Sequence, residues 1–172
     1  MKKAYTGFTL VELMVALVVG ILILSFGIPA FTNLMSGNRA TAYANDLIGA
    51  LRLARSEAVK RGEGVTVCAS NAAYNACDNN NWVNGWLVFT DPDNDRTYTA
   101  GTDDLIRVWT APEGGIVFSG TTPNSIRFLA SGETSGSVND FSMRLSHCSG
   151  NQARTISISK LGRAEANRSA CF

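Results

Sequence analysis

The chain has 172 residues, of which 45% are hydrophobic and 17% are charged, and its formal net charge is +1. This length corresponds to one domain, with or without an appended segment, and argues against a multidomain enzyme. The balanced charge gives no bulk attraction to nucleic acid or to an anionic membrane, and the composition excludes a disordered chain and a polytopic membrane protein.

Residues 8–31, FTLVELMVALVVGILILSFGIPAF, form an apolar segment in which Glu12 is the only charged residue. The uncharged part, residues 13–31, would be about 28 Å long as a helix, close to the thickness of a membrane core of about 30 Å. Lys2 and Lys3 precede it and predict a cytoplasmic N-terminus and an exported C-terminal part. We therefore expect a single membrane-spanning helix, in which the Glu12 carboxylate needs a cationic partner.

The hexapeptide GFTLVE at residues 7–12 resembles the signature of type IV prepilins. The resemblance implies that residues 1–7 are a leader, which prepilin peptidase removes between Gly7 and Phe8, and that Phe8 is then N-methylated. It also implies that Glu12 pairs with the new α-amino group of a neighbouring subunit during assembly. Pro29 lies where such pilins often have a proline that kinks the helix, since proline lacks a backbone donor.

Residues 32–61 are predicted to continue the helix as an amphipathic half. Apolar residues recur at spacings of three and four, which places them on one face: Ala40, Tyr43, Ala44, Leu47, Leu51, Ala54 and Ala58. Gly62 is a suitable C-terminal cap, so the whole predicted helix runs from Phe8 to Arg61.

Residues 62–172 change to short β-branched and aromatic runs between turn residues, which predicts a β-rich head. Seven strands are expected, at Val65–Ser70, Trp86–Thr90, Leu105–Thr110, Ile116–Ser119, Ser125–Leu129, Phe141–Ser146 and Arg154–Lys160. With the helix packed on them, they indicate an α+β fold with one or two antiparallel sheets.

Three blocks carry a narrower resemblance: ALRLARSEAVKRGEGVTVCAS (50–70), NGWLVFTDPDND (84–95) and GRAE (162–165). They are similar to the GspH/FimT group of minor pilins and pseudopilins. This resemblance implies a type IV pilin-like fold and a structural role in the tip or priming complex of a type IV pilus or a type II secretion pseudopilus. The implied partners are other minor and major pilins or pseudopilins, the prepilin peptidase and the inner membrane of a Gram-negative bacterium, with the head in the periplasm and later in the fibre.

Four cysteines, Cys68, Cys77, Cys148 and Cys171, all lie in the predicted exported region. Four cysteines allow three pairings. The local pairing, Cys68 with Cys77 and Cys148 with Cys171, is favoured because each bond closes a modest loop. A metal site is the alternative, but no C-x₂-C spacing supports it, and an oxidising periplasm favours disulfides.

Asp91, Asp93 and Asp95 alternate in DPDNDRTYTAGTDD as in the opening of a calcium loop. The remainder of that motif is missing, because Arg96 replaces the expected glycine and Thr102 the expected glutamate. A polar hairpin loop is the simpler interpretation, since Asp-Pro-Asp-Asn favours turns.

Charge is segregated in the head, with eight acids and two bases in residues 62–126 and six bases and three acids in residues 127–172. Some DNA-uptake pilins of the FimT type carry a C-terminal G-R-x-R motif. Gly162 and Arg163 match it, but Glu165 replaces the second arginine. Lys160, Arg163 and Arg168 are candidate contacts for DNA, but solvated tail charges or contacts to a neighbouring subunit are the favoured interpretation.

Enzymatic catalysis has little support in the sequence. His147 is the only histidine and lies beside Cys148, and no nucleophile or phosphate-binding motif is present. We expect a structural protein without a cofactor.

Overall fold

A computed structural model describes residues 7–110, 114–138 and 140–172, without the side chains at positions 26, 29 and 30. Residues 1–6 of the predicted leader lie outside the described residues, and the predicted kink at Pro29 stays a prediction. The chain divides into two compact units, one ending at Met35 and the other comprising Ser36–Phe172.

One long helix, α1 (Leu10–Arg61), opens the described chain. It ends where the sequence predicts, because Gly62 takes a left-handed backbone (φ +71°) that favours glycine, and its N–H donates to the carbonyl of Ala58 at 3.0 Å. The helix begins two residues later than predicted. Thr9 provides the physical reason, since its hydroxyl accepts a hydrogen bond from the N–H of Glu12 at 3.2 Å and so caps the first turn.

The C-terminal half of α1 buries the predicted apolar face against the head. Leu47, Leu51, Ala54 and Ala58 are fully buried, and Tyr43 packs at the edge of the same core. Small residues at several of these positions allow the helix to approach the sheets closely.

Eight strands occur among the described residues: β1 (Val65–Ala69), β2 (Gly85–Thr90), β3 (Leu105–Thr110), β4 (Ile116–Ser119), β5 (Ser125–Phe128), β6 (Phe141–Leu145), β7 (Ala153–Ile158) and β8 (Ala164–Ser169). They form two four-stranded antiparallel sheets, in the orders β3-β2-β1-β5 and β4-β6-β7-β8. A short 3₁₀ helix, Trp82–Asn84, precedes β2. The predicted α+β fold with a helix packed on an antiparallel head is confirmed.

A single main core joins α1 to both sheets. It contains Val67 and Phe128 from the first sheet, Met143 and Ile156 from the second, and the buried ring of Trp82. Strands β1 and β2 are buried on both faces, because a second cluster around Leu87 and Phe89 covers their opposite side. Burial on both faces explains their continuous apolar sequence.

The eighth strand, β8, is missing from the sequence prediction. Its sequence, AEANRS, contains no β-branched or aromatic residue, so no strand signal was available. The register from Ala153↔Ser169 to Ile158↔Ala164 shows that β8 forms by backbone pairing with β7. The residues of the GRAE block therefore form a hairpin turn and the start of a strand.

Candidate functional site: the N-terminal segment and the charged surfaces of the head

The N-terminal segment presents the predicted cleavage residues in an accessible position. Gly7 and Phe8 precede α1, and the Phe8 side chain is 83% exposed. Glu12 lies in the first helical turn, where its negative charge is favourable beside the helix N-terminus. The Thr9-x-x-Glu12 spacing is that of a capping box, a signal that sequence analysis could have found but missed.

Apolar side chains surround the first part of α1 on all sides. Apart from Gly20, every described residue from Phe8 to Met35 is exposed, and seventeen of them are large hydrophobic residues, against five exposed ones in the head. Among the described residues, however, no helix is both long enough and apolar enough to cross a membrane.

Both predicted disulfides are present. Cys68–Cys77 joins β1 to the loop that follows it, and Cys148–Cys171 joins the end of the chain to the loop after β6, with Cα–Cα distances of 5.7 and 5.8 Å. The local pairing is therefore confirmed. No free cysteine occurs among the described residues, so no thiolate is left there for metal binding or nucleophilic chemistry.

A buried polar centre forms around Asp91, directly after β2. Arg127 of β5 donates from Nε to Asp91 Oδ2 at 2.8 Å and from its terminal nitrogen to the Asp91 carbonyl at 3.1 Å. The hydroxyl of Thr66 donates to the same Oδ2 at 2.7 Å. Gly64 makes room for the arginine, because a Cβ at this position would collide with the guanidinium. Arg127 is thus neutralised and is not part of a free basic surface.

The three aspartates of the candidate calcium loop converge. Asp91, Asp93 and Asp95 can each offer one carboxylate oxygen such that all three oxygens lie within 4.8 Å of one another. Asp93 and Asp95 are exposed, and each accepts a backbone N–H from its own loop, from Asp95 at 3.4 Å and from Thr97 at 2.7 Å.

Asp103, near the other end of the same loop, is buried, with an exposed fraction of 6%. Its Oδ2 accepts the N–H of Thr99 at 2.7 Å, whereas its Oδ1 has no hydrogen-bond partner in the described part of the chain. Burial raises the pKa of the Asp103 carboxyl; the Thr99 bond lowers it, and repulsion from Asp93, Asp95 and Asp91 raises it further. No sequence pattern singled out this residue.

The candidate DNA-contacting cations do not lie together. Lys160 and Arg163 are in the turn between β7 and β8, whereas Arg168 is five residues along β8, about 16 Å away at roughly 3.3 Å per residue. Arg163 forms an ion pair with Glu165 at 2.6 Å, so the carboxylate that replaces the second arginine of the motif also neutralises the first.

Arg154, on β7, is a buried cation opposite Arg168 in the register. Its guanidinium donates to the Thr41 hydroxyl at 2.6 Å and to the Ala153 carbonyl at 2.8 Å. Burial lowers the pKa of Arg154, and repulsion from Arg168 adds to this effect. The Arg154–Thr41 hydrogen bond therefore links β7 to α1, and the buried Arg154 side chain is not available to a partner.

A groove of about 890 Å³ runs between the C-terminal half of α1 and the β7–β8 turn. We call it the basic groove, because its lining includes Arg52, Arg55, Lys60 and Arg163, with Glu165 as the acid. Arg55 is fixed by a hydrogen bond from its Nε to the Gly132 carbonyl at 2.9 Å. The sequence did not indicate that Arg52, Arg55 and Lys60 of α1 lie near Arg163, since they are about a hundred positions away from it.

The fold and the exposed apolar helix are those of type IV pilin-like subunits, and two family models agree with this class. The model described as Type II transport protein GspH matches residues 43–162, which are 120 of the 172 residues. The model described as Prokaryotic N-terminal methylation motif matches residues 2–28. The chain therefore belongs to the GspH family of type IV minor pilins and pseudopilins.

Solved structures show the same fold. Two crystal structures of the type IV minor pilin FimU of Pseudomonas aeruginosa superpose with TM-scores of 0.55 and 0.56, at 17% and 18% identity. They cover 78% and 77% of this chain, and 96% and 99% of the FimU chains. No curated protein matches the chain significantly. Members of this family are structural subunits, so the expectation of a structural protein agrees with the family.

Proposed function

We propose that this protein is a minor pilin or pseudopilin that assembles through the first part of α1 into the tip or priming complex of a type IV pilus or a type II secretion pseudopilus. The observation that carries the proposal is the apolar surface on all sides of that helix. A helix that is apolar all round is buried in a membrane or among other helices. The N-terminal methylation motif at residues 2–28 and the GspH match at 43–162 support the same role.

Processing would remove residues 1–7 and place a new α-amino group on Phe8, which the prepilin peptidase then methylates. The methylation motif and the accessible position of Gly7 and Phe8 support this step. Before processing, residues 8–31 anchor the protein in the inner membrane with the head in the periplasm, as Lys2 and Lys3 predict. After processing, the same segment enters the fibre.

Glu12 is the only charged residue in the apolar segment, residues 8–31. A carboxylate that is surrounded by apolar helices needs a cation. The methylated amine of a neighbouring Phe8 provides one that exists only after processing. The structure adds that the cap of α1 uses the backbone N–H of Glu12, so a change of its side chain leaves that hydrogen bond in place.

The test is Glu12→Gln in the producing cell, with Glu133→Gln, an exposed head acid, as the control. We expect the Glu12 variant to be processed to a chain beginning at Phe8 but to be reduced at least tenfold in the sheared fibre fraction, by immunoblot and N-terminal mass analysis. The control should be incorporated normally. Normal incorporation of the Glu12 variant would contradict the pairing, and a mature chain with another N-terminus would contradict the processing.

DNA capture is the second candidate function, and the basic groove is the observation that favours it. Arg52, Lys60 and Arg163 could contact a phosphate backbone there. The Arg163–Glu165 ion pair opposes it, because the carboxylate repels phosphate. Assembly is therefore the better supported function.

A further inference from the structure

The second sheet ends at β8, and in the described chain the outer edge of this strand has no partner strand. The sheet order is β4-β6-β7-β8, so β8 pairs with β7 on one side only. The hydrogen bond from the Ser159 N–H to the Arg163 carbonyl at 2.9 Å sets the alternation of hydrogen-bonded pairs along this hairpin. The backbone groups of alternate residues of β8 therefore point towards β7, and those of Ala164, Ala166 and Arg168 point away from it.

The other sheet edges in the described part of the chain are covered, interrupted or short. At β5 the loop that follows the strand pairs with it, since the N–H of Ser135 donates to the Arg127 carbonyl at 2.8 Å. At β3 the register with β2 shifts between Val88 and Phe89, and a bulge of this kind disfavours the addition of a further strand. Strand β4 has only four residues. Strand β8, with six residues in continuous register, is the edge best suited to strand addition.

A groove runs beside this edge, between β8 and α1. The basic groove adjoins a second cavity of about 420 Å³, which shares Arg52 and Glu165 with it and extends to Asn45 on α1 and Asn167 on β8. We call the two cavities together the edge groove. Its wall on α1, from Asn45 to Lys60, is about 22 Å long, and β8 is about 20 Å long. The edge groove therefore has the length of an extended segment of about six residues.

Gly49 is an independent indication that another backbone approaches the edge groove. It lies in the interior of α1, is exposed and lines the groove. A Cβ added at this position would meet no atom within 4 Å, so packing within the described head does not require a glycine there. Glycine in a helix interior is less stable than alanine, but it allows a second backbone to come close. A strand added beside β8 would use this space.

We propose that the edge groove binds an extended, acidic segment of another pilin subunit, which adds to β8 as a fifth strand of the second sheet. The proposal rests on the proposed function, because only assembly brings other subunits next to this head.

The charge of the groove specifies an acidic segment. Arg52 and Arg55 line it, and neither forms an ion pair with any described residue. Arg168, near the end of β8, also forms no ion pair there and lies opposite the buried Arg154 in the register. Glu165 is the acid among the described lining residues, and it is already engaged by an ion pair within the β7–β8 hairpin. Carboxylates of an added strand would supply the missing countercharges.

Apolar side chains at the groove favour a peptide over a nucleic acid. Val59, in the lining, is 54% exposed, and Leu161, in the β7–β8 turn, is 67% exposed. A phosphate backbone gains nothing from these side chains and cannot form a strand ladder with β8. An added strand does both, since its backbone pairs with the edge and its alternate side chains contact the walls.

The test is photo-cross-linking in the producing cell, with p-benzoylphenylalanine in place of Asn167 in the full-length chain. We expect an adduct with another pilin subunit in membranes or sheared fibres, formed through a segment of net negative charge that mass spectrometry identifies. The same cross-linker in place of Asn80, an exposed asparagine in the loop after β1, is the control and should give at least tenfold less of this adduct.

Gly49→Leu fills the edge groove and should lower the adduct yield at least tenfold. The melting temperature of this variant, measured on the full-length chain in detergent, should not fall, because leucine favours a helix more than glycine does. Ala73→Leu, at an exposed position in the loop after β1, is the matched control and should change the yield less than twofold. Arg52→Glu should lower the yield at least fivefold, since it places a carboxylate against an acidic segment.

Two substitutions at Arg168 test the backbone pairing itself. Arg168→Ala and Arg168→Pro both remove the charge, but only proline removes the N–H that points away from β7. The adduct yield of the proline variant should be at least threefold below that of the alanine variant, and equal yields would overturn strand addition.

The proposal would also be overturned by the absence of an adduct, by an adduct with a second copy of this chain, by a nuclease-sensitive adduct with DNA, or by a yield that Gly49→Leu does not change. Incorporation of the mature chain into sheared fibres is measured separately by immunoblot. Normal incorporation without the adduct therefore contradicts the groove but not assembly, whereas a chain that never enters fibres contradicts the assembly function.

Discussion

At the scale of single residues, Gly162, which matches the first position of the G-R-x-R motif, is also required for packing. It lies in the β7–β8 turn with φ +75°, and a Cβ there would collide with the Gly132 carbonyl and press on the Arg55 side chain. The Arg55–Gly132 hydrogen bond, which fixes one wall of the basic groove, therefore depends on the absence of a side chain at Gly162.

We expect Gly162→Ala to destabilise the head by about 3 kcal/mol or more, since it adds a steric collision to the cost of a left-handed alanine. Gly136→Ala is the matched control, because Gly136 also has positive φ (+101°) but has no atom within 4 Å of the added Cβ. The control should lose only about 1–2 kcal/mol. Urea unfolding measures both, and equal losses would show that the collision is relieved at no cost.

The basic residues of 127–172 show that a sequence does not reveal which charges are paired or buried. The six bases suggest a positive surface, but Arg127 is paired with Asp91, Arg154 is buried, and Arg163 is paired with Glu165. The Arg127–Asp91 pair and the burial of Arg154 depend on contacts between residues distant in sequence, whereas Arg163 and Glu165 are only two positions apart. No local pattern could therefore have predicted that Arg127 and Arg154 are not free.

At the scale of elements, local signals predicted the helix and seven of the eight strands. The apolar face predicted the C-terminal half of α1, and Gly62 predicted its end. Runs of β-branched and aromatic residues predicted the strands to within about two residues. The failure at β8 has a physical cause, because β8 pairs with β7 through its backbone and contributes only the small side chains of Ala164 and Ala166 to the core.

The two disulfides should contribute differently to stability. Cys148–Cys171 spans 23 residues, and its removal by two serine substitutions should cost about 3 kcal/mol through the entropy of the unfolded chain. Cys68–Cys77 spans only 9 residues, but Cys68 is fully buried, so serine there would also bury a polar hydroxyl. We therefore expect the serine substitutions at Cys68 and Cys77 to lower the free energy of unfolding in urea more than those at Cys148 and Cys171. The reverse order would refute this explanation.

At the scale of the whole molecule, processing changes the charge balance. Removal of residues 1–7 discards Lys2 and Lys3, so the mature chain has thirteen bases, fourteen acids and a net charge of −1. The aspartate cluster Asp91, Asp93 and Asp95 and the basic groove then lie on the same head as opposite local charges. Any attraction to DNA must come from a local positive surface such as the groove, because the molecule as a whole repels phosphate weakly.

We therefore expect the head, Ser36–Phe172, to bind duplex DNA only weakly and at low salt. With Arg52, Lys60 and Arg163 as three phosphate contacts, the affinity should fall roughly twentyfold between 50 and 150 mM salt in gel-shift titrations. Lys60→Ala and Arg163→Ala should each weaken binding, whereas Arg168→Ala, at the far end of β8, should not. Glu165→Arg should strengthen it, since this change frees Arg163 and restores the second arginine of the motif. An equal loss in the Arg168 variant would argue against the groove, and absence of binding at 50 mM salt would eliminate DNA capture as a function and leave assembly alone.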